Sequence, residues 1–427
     1  MGAPSSASWL STLILLCTTW RGAFAVVTFF GLAQAYAIRV AMSVAVVDIV
    51  KEFHYTGGQQ GLILSAFYIG YMLPQLGAGW LAGRFGGYPI VLFGVLAPSV
   101  LTMLTPAAAG SFSALVLLRV LTGLCEGVTY PALHAMLAAW APAAERATLL
   151  NVAWSGAFFG TATTFPLSGA IAGGTLRIPL LGSGWRAVFY VQGALGVLWA
   201  ALFLGTCAST PEAHRWVSEA EKEHIAAGRS GGRGSPVGAA RVPWRALVTN
   251  PVVWACVAAH VAHNYAFYLL LSEMPTYLKY QLNFDLSKAG AVSVLPYLAC
   301  FAGANLGGGL ADALISRGTP TLLVRRAWYA VGELLPAAAL VTAGFASSPA
   351  TVVVLLTLSV GISGISQTGF ACTPLDTAPH LAGVWMAFQN TFACVLPRCT
   401  QAPPLLPPAR ALTPFVHATA PPPRTPS

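Results

Sequence analysis

Two short stretches decide the fold: "GAGWLAGRFGG" (Gly77–Gly87) and "GGGLADALISRG" (Gly307–Gly318). Each runs Gly-x-Leu-Ala and then reaches an arginine and a glycine. The first passes through Gly83 and Arg84, the second through Asp312 and Arg317. They stand at equivalent places, each at the end of an apolar segment. Small residues let helices approach closely there, and the charges can cap and pair at helix ends. Two such turns in register point to a duplicated helical unit, the construction common among transporters.

The composition around them is that of a membrane interior. Only 8% of the 427 residues are charged and 56% are hydrophobic, against about 25% charged in a soluble domain. The expected class is an all-α polytopic membrane protein that sits in a lipid bilayer. The formal charge of +9 resides in loops, where the positive-inside rule wants it, so nucleic acid is not a partner. The eight cysteines are scattered without CxxC or Cys/His spacing, so neither a disulfide framework nor a zinc site is indicated.

Apolar runs long enough to span lie at about 22–47, 60–82, 89–108, 112–138, 148–173 and 185–206. The second half offers about 248–276, 288–313, 323–346 and 350–372, with an incomplete one at 380–397. The stretch at 9–19 is too short. The N-terminal flank and every second loop hold Arg21, Arg84, Arg146, Arg215, Lys222, Arg229, Arg233, Arg241, Arg245, Arg317, Arg325 and Arg326. The opposite loops hold only Lys51, Arg177, Arg186, Lys279 and Lys288, so a cytoplasmic N-terminus is expected. The expected organisation is an N-terminal extension (1–21), a six-helix half (22–206), a cytoplasmic linker (207–247), a partial second half (248–397) and a Pro-rich tail (398–427). Substrate sites in such repeats lie between the halves near the midplane.

The paired loops are the signature of the major facilitator superfamily, and the chain resembles its anion:cation symporter branch, solute carrier family 17. That branch includes sialin, the vesicular glutamate transporters and the sodium/phosphate cotransporters. The resemblance is carried by "YAIRVAMSVAVVDIV" (36–50), "LRVLTGLCEGVTYPALHAMLAAWAPAAERATLL" (118–150), "VPWRALVTNPVVWACVAAHVAHNYAFYLLL" (242–271), "LPYLACFAGANLGGGLAD" (295–312) and "LDTAPHLAGVWMAFQNTFA" (375–393). It runs almost continuously from about 22 to 393 and is nearer sialin than the glutamate carriers. It implies a major facilitator fold of two six-helix halves, with the last one to two helices missing. The tail after "QNTFA" is Pro-rich, cannot form a span, and reads as a truncated or mis-spliced end.

The chain departs from the branch in places. Gly83 stands where the first loop signature has an aspartate, so the gating role implied for Arg84, Asp312 and Arg317 rests mainly on Asp312. His263 and Leu64 replace an arginine and a histidine of glutamate carriers, which argues against glutamate. Thr122 replaces a second glutamate one turn before Glu126.

Ionisable residues inside spans are expensive and mark function. Arg119 and Glu126 are seven apart, offset by about 20° and about 10.5 Å along one helix, so both can line one cavity. Arg39 reaches a similar depth on the first span. Two guanidiniums from separate helices suit a carboxylate, and in the branch the matching arginines contact the anion. The bland alternatives are a snorkelling Arg39 and an ion pair of Arg119 with Glu126 or another helix. The branch ties a glutamate at Glu126 to proton coupling. His134 is either a proton relay or a packing histidine, and the branch favours the former.

On the seventh span His260, Asn264 and Tyr268 form one stripe at helical spacing, with His263 beside it. Of these, His263, Asn264 and Tyr268 are expected to bind substrate. Asp376 reads as a loop and helix-cap residue, Asn390 as a residue that can face the cavity, and Glu273 as one near a helix end. Glu333 has no role by this reading. Gly123, Gly127, Gly156, Gly160 and Gly169 read as packing positions, and Pro166 as a kink.

No G-x-x-x-x-G-K-[ST], H-E-x-x-H or Ser/His arrangement occurs in the sequence, so neither nucleotide energy nor an enzyme is indicated. The expected function is secondary active transport of an organic anion, a sialic acid-like sugar acid or a small carboxylate, with protons and without a cofactor. Sodium-coupled phosphate uptake and a truncated non-transporting product are the alternatives. A monomer is expected, in a lysosome-like organelle, the plasma membrane or a plastid.

Overall fold

The computed structural model describes residues 9–229, 242–280 and 286–399. The Pro-rich tail from 400 onward and the side chains of Glu273, Lys279 and Lys288 lie outside the described residues. What is described is helical, apart from one isolated bridge between Ile178 and Gly182.

The N-terminal half begins with a short α1 (Trp9–Thr18) and a long α2 (Trp20–Phe53). There follow α3 (Gly57–Met72), α4 (Gln75–Phe85), α5 (Gly87–Ala108), α6 (Phe112–Glu126), α7 (Thr129–Trp140), α8 (Arg146–Ala172) and α9 (Trp185–Thr206). The linker carries α10 (Glu219–Ala227) and α11 (Trp244–Thr249). The second half holds α12 (Pro251–Tyr280), α13 (Leu286–Ser316), α14 (Thr321–Phe345), α15 (Pro349–Ser363), two short pieces α16 (Gln367–Phe370) and α17 (Thr373–Thr377), and α18 (Ala382–Cys399). Among the described residues, eight segments are long and apolar enough to cross a membrane if the bent pair α3/α4 is taken as one. The helix α8 falls outside that set because it is rich in polar residues; Asn151, Ser155, Thr161 and Ser168 are buried in protein and never meet lipid.

Glycines set how closely the N-half helices cross. A Cβ on Gly123 would lie 1.8 Å from the Phe67 carbonyl oxygen, and one on Gly70 would lie 1.9 Å from that of Val120. Backbone therefore meets backbone where α3 crosses α6. At Gly156 and Gly160 of α8 the corresponding neighbours are the carbonyls of Phe29 and Ala33 on α2, at 2.0 and 2.2 Å. Gly169 departs from the packing role expected of it, since nothing lies within 4 Å of its Cβ position. It sits nearer the end of α8, past the crossing.

Three spans are interrupted, and the sequence reading anticipated none of the interruptions. The second span bends by 51° between α3 and its continuation in α4, around Pro74, which cannot continue the hydrogen-bond ladder. The fourth breaks at Gly127–Val128, immediately after Glu126. The two breaks touch, for a Cβ on Gly127 would lie 2.4 Å from the Tyr71 oxygen and 2.8 Å from Pro74. The tenth changes to a 3₁₀ turn at Gly364–Ser366, a distortion often found at functional positions. By contrast α8 runs on through Pro166 as one helix.

The described part of the linker is fastened to the N-half. Glu221 of α10 accepts from the Trp20 and Arg21 amides at 3.2 and 3.1 Å, satisfying free donors at the start of α2. Arg21 also reaches Glu145 in the α7–α8 turn, at 2.5 Å from Nε and 3.0 Å from Nη2. Arg229 bonds the Ala139 carbonyl and Glu212. This end of the molecule is called the linker end below.

Candidate functional site

The site is built on the break after Glu126. That residue ends α6, is 1% exposed, and receives Arg39 of α2, itself 7% exposed. Nε of Arg39 donates to Glu126 Oε1 at 2.7 Å, and Nη2 lies 2.5 Å from the same oxygen. The second carboxylate oxygen, Oε2, is buried and has no hydrogen-bond partner among the described residues. Arg39 does not snorkel, as one alternative had it; its guanidinium is enclosed by the rings of Tyr36, Phe67 and Tyr71 at 4.5, 5.0 and 4.6 Å. Stacking of this kind desolvates the cation and favours it on aromatic faces.

Arg119 lies close by but is held differently. Its Nε donates to the Ile63 carbonyl at 3.4 Å, and its guanidinium packs 4.9 Å from the Phe67 ring centre. Phe67 thus contacts both arginines. The ion pair with Glu126 that was the bland alternative for Arg119 is made by Arg39, because a partner seven residues away on one helix is out of reach while α2 passes alongside.

Between the halves lies a cavity of about 40 Å³. On one wall stand Tyr36, Tyr71 and Tyr130, which separate it from Arg39. The other wall carries His260, His263, Asn264 and Tyr268 of α12, with Gln367 and Asn390 beyond. The seventh-span stripe is therefore on the cavity, as is His263 next to it. Several lining atoms are buried and have no partner among the described residues, namely His260 Nδ1, Gln367 Oε1 and Trp154 Nε1; buried polar atoms in this state call for water or a guest. A pocket that takes a small organic ligand encloses about 300–1,000 Å³, so the structure is a closed form.

Several polar contacts between the halves gather toward the linker end. Asp312 accepts from the Ala147 and Thr148 amides at 3.2 and 2.7 Å, capping α8 from across the interface. Asp376 was expected to be a loop and cap residue, and here it is a bridge: it takes Arg146 Nη1 of the N-half at 2.9 Å and Arg325 Nε at 2.8 Å. His134 Nε2 donates to the Ala371 carbonyl at 2.9 Å, which fixes that nitrogen as the protonated one and leaves Nδ1 buried without a partner. Asn151 bonds Thr368 at 2.8 Å, and Asn390 bonds Gln75 at 3.1 Å. Arg84 and Arg317 are exposed. Arg84 lies over the rings of Trp80 and Phe85 on its own helix and makes no described contact with the other half.

Sequence reasoning missed Glu333. Its Oε1 is 3.1 Å from Nδ1 of His263, a pairing between α12 and α14 that no local spacing announces. The only available signal was a carboxylate in a span without a partner on its own helix.

The family model described as Major Facilitator Superfamily matches residues 24–397. This chain belongs to the major facilitator superfamily. Sheep sialin is 36% identical to it, across 93% of this chain and 84% of that protein. Human sialin is also 36% identical, across 89% and 81%, and bovine vesicular glutamate transporter 1 is 32% identical, across 91% and 72%. Within the superfamily the chain falls in the anion:cation symporter branch. A proton:xylose symporter structure superposes with a TM-score of 0.68 at 14% identity, covering 90% of this chain and 89% of that one. At that identity the likeness shows the fold alone. Family and fold are those of transporters and not of enzymes.

Proposed function

We propose that this protein moves an organic anion, a sialic acid-like sugar acid or a small carboxylate, together with protons by alternating access of its two halves. The observation that carries the reading is the buried Arg39–Glu126 pair behind the tyrosine wall of the cavity. An anion that draws near Arg39 competes with Glu126 for the guanidinium. Once displaced, the carboxylate is a buried charge without its partner, a state that costs about 3–5 kcal/mol. Glu126 avoids that cost by taking a proton on Oε2. Anion entry and protonation are thereby linked, and the loaded carrier holds one positive guanidinium against one anion and a neutral acid. Arg119, beside the shared Phe67, adds positive potential to the same place.

The sialin relatives support a sugar acid as cargo, and His263 in place of an arginine supports a cargo other than glutamate. The lysine and arginine bias supports a cytoplasmic N-terminus, so the closed linker end is cytoplasmic and the cavity next opens to the other side. In the opposite state Asp312, Arg146, Asp376 and His134 part. The membrane is that of a lysosome-like organelle or the cell surface, with a plastid as the alternative.

The test is uptake of radiolabelled sialic acid into proteoliposomes under an imposed pH or sodium gradient. Acidifying the side from which the anion enters is expected to drive accumulation, with sodium without effect. Accumulation of phosphate under a sodium gradient would replace this reading with sodium-coupled phosphate transport. Flux indifferent to both gradients sinks symport.

A further inference from the structure

The second half contains an ionisable pair, a buried histidine with a half-buried glutamate, that the Arg39–Glu126 mechanism does not use. His263 of α12 is 4% exposed, with Glu333 Oε1 of α14 at 3.1 Å and Ser366 Oγ of the 3₁₀ turn at 2.9 Å, both from Nδ1. The direction of these bonds follows from Glu333, whose ionised carboxylate can only accept. The Ser366 hydroxyl then donates to the Ser363 carbonyl at 2.8 Å and its oxygen accepts from the histidine. Nδ1 therefore carries the hydrogen, shared between Ser366 and Glu333. In a neutral ring Nε2 is then the basic nitrogen.

That nitrogen has no hydrogen-bond partner among the described residues, and His263 lines the cavity between the halves. Glu333 and His263 also line a second, mostly apolar cavity of about 100 Å³ among α12, α14 and α15. The pair thus lies between two cavities, and water in the one between the halves reaches it through His263.

We propose that His263 and Glu333 form a second proton-binding site, in the C-terminal half, whose imidazolium presents Nε2–H to the anion in the cavity. The proton enters from water and adds to Nε2. Nothing is oxidised, and the carboxylate of Glu333 stays as counter-ion across Nδ1. A neutral ring offers the anion a lone pair, which repels it; the protonated ring offers a charged donor. This inference rests on the proton-coupled reading above and adds a proton that enters with the anion from the opposite wall.

The groups that face the pair permit it. His260 shares its helix, one turn away, and competes for positive charge. Tyr297 and Cys300 of α13 and Tyr329 of α14 are neutral at physiological pH. The described part of α18 brings Gln389, Asn390 and Cys394. Across the cavity stand Tyr36, Tyr71 and Tyr130, with His134 beyond. Glu333 is the one carboxylate among these groups.

The experiment is a titration by NMR of ¹⁵N-histidine-labelled protein in lipid nanodiscs, with the His263 signal assigned by its loss in His263→Gln. The wild-type ring is expected to gain a proton on Nε2 as the pH falls, with Nδ1 protonated throughout. Glu333→Gln removes the counter-ion and is expected to reduce the imidazolium population at pH 7 by about tenfold, the worth of one charge at close range. Ser366→Ala is the gentler variant if Glu333→Gln fails to fold, with an expected change under threefold. A His263 signal flat from pH 4 to 9, or a titration that Glu333→Gln leaves in place, overturns the site. Failure of proton coupling itself is seen separately, as wild-type uptake indifferent to a pH gradient, and needs no histidine signal.

Discussion

An Asp312 carboxylate oxygen lies 2.7 Å from the amide nitrogen of Thr148, so an acid of the C-half caps the first turn of an N-half helix. With Asp376 between Arg146 and Arg325, it ties the two halves together at the linker end.

Asp312→Asn keeps an acceptor but loses the charge that favours a helix N-terminus. Hydrogen bonds to charged groups are worth about 1.5–3 kcal/mol, so the open form is expected to gain roughly tenfold or more in population. Cys372 is fully buried beside this contact. Its maleimide labelling in liposomes, read by mass spectrometry, should rise by a similar factor; unchanged labelling would show that the cap does not govern closure.

Glu126→Gln keeps the shape of the acid and removes its proton chemistry. Uptake driven by a pH gradient is expected to vanish, while exchange of labelled for unlabelled sialic acid persists. Gradient-driven uptake at the wild-type rate would remove Glu126 from the coupling.

Arg39→Met strands Glu126 in the core and is expected to cost about 3–5 kcal/mol, seen as a sharply lower Tm in nanodiscs. Adding Glu126→Gln should recover most of the loss, because the orphaned charge is gone. A double variant as unstable as the single would mean that Arg39 contributes mainly through its ring contacts.

Gly123→Ala places a methyl 1.8 Å from the Phe67 carbonyl oxygen, forcing α3 and α6 apart. A loss of about 1–3 kcal/mol or more is expected from such overpacking. Gly169→Ala, with open space around it, should change Tm little. Equal effects would contradict the crossing described here.

The fold of the linker should loosen in acid. Partial burial works against the Glu212 carboxylate, but Arg229 outweighs it and holds the group below the usual carboxylate range. A carboxyl whose folded value is depressed contributes fully above its unfolded value and loses that contribution as pH falls through the folded one. Cleavage of the linker by an acid-tolerant protease, relative to an unstructured reference peptide, should therefore rise below about pH 4. Glu212→Gln should make that rise smaller, since Glu221 and Glu145 also hold the linker through Arg21.

The span pattern, the paired loops and the membrane-buried charges were legible because each is local: hydropathy over twenty residues, or a motif within twelve. Partnership was not. Arg39 finds Glu126, His263 finds Glu333 and Asp376 finds Arg146 across distances in sequence that no periodicity encodes. The breaks left only faint traces, the glycine after Glu126, Pro74 and the Gly-Ser run at 361–366, and these were outweighed by continuous apolarity. Polar α8 was legible as a span only because its polar residues are small and widely spaced.

The loop at Gly83 repeats the one at Asp312 but lacks its acid, and the space around Gly83 is empty. A duplicated fold with both acids would fasten its halves twice, once from each side of the pseudo-symmetry axis. Here both acids at the interface, Asp312 and Asp376, belong to the C-terminal half, and the N-terminal half supplies only their partners at the start of α8. Unfastening then falls to acids on one side of the axis, so the two directions of rocking need not be mirror images in rate, and substitutions in that half alone are expected to tilt the resting orientation of the carrier.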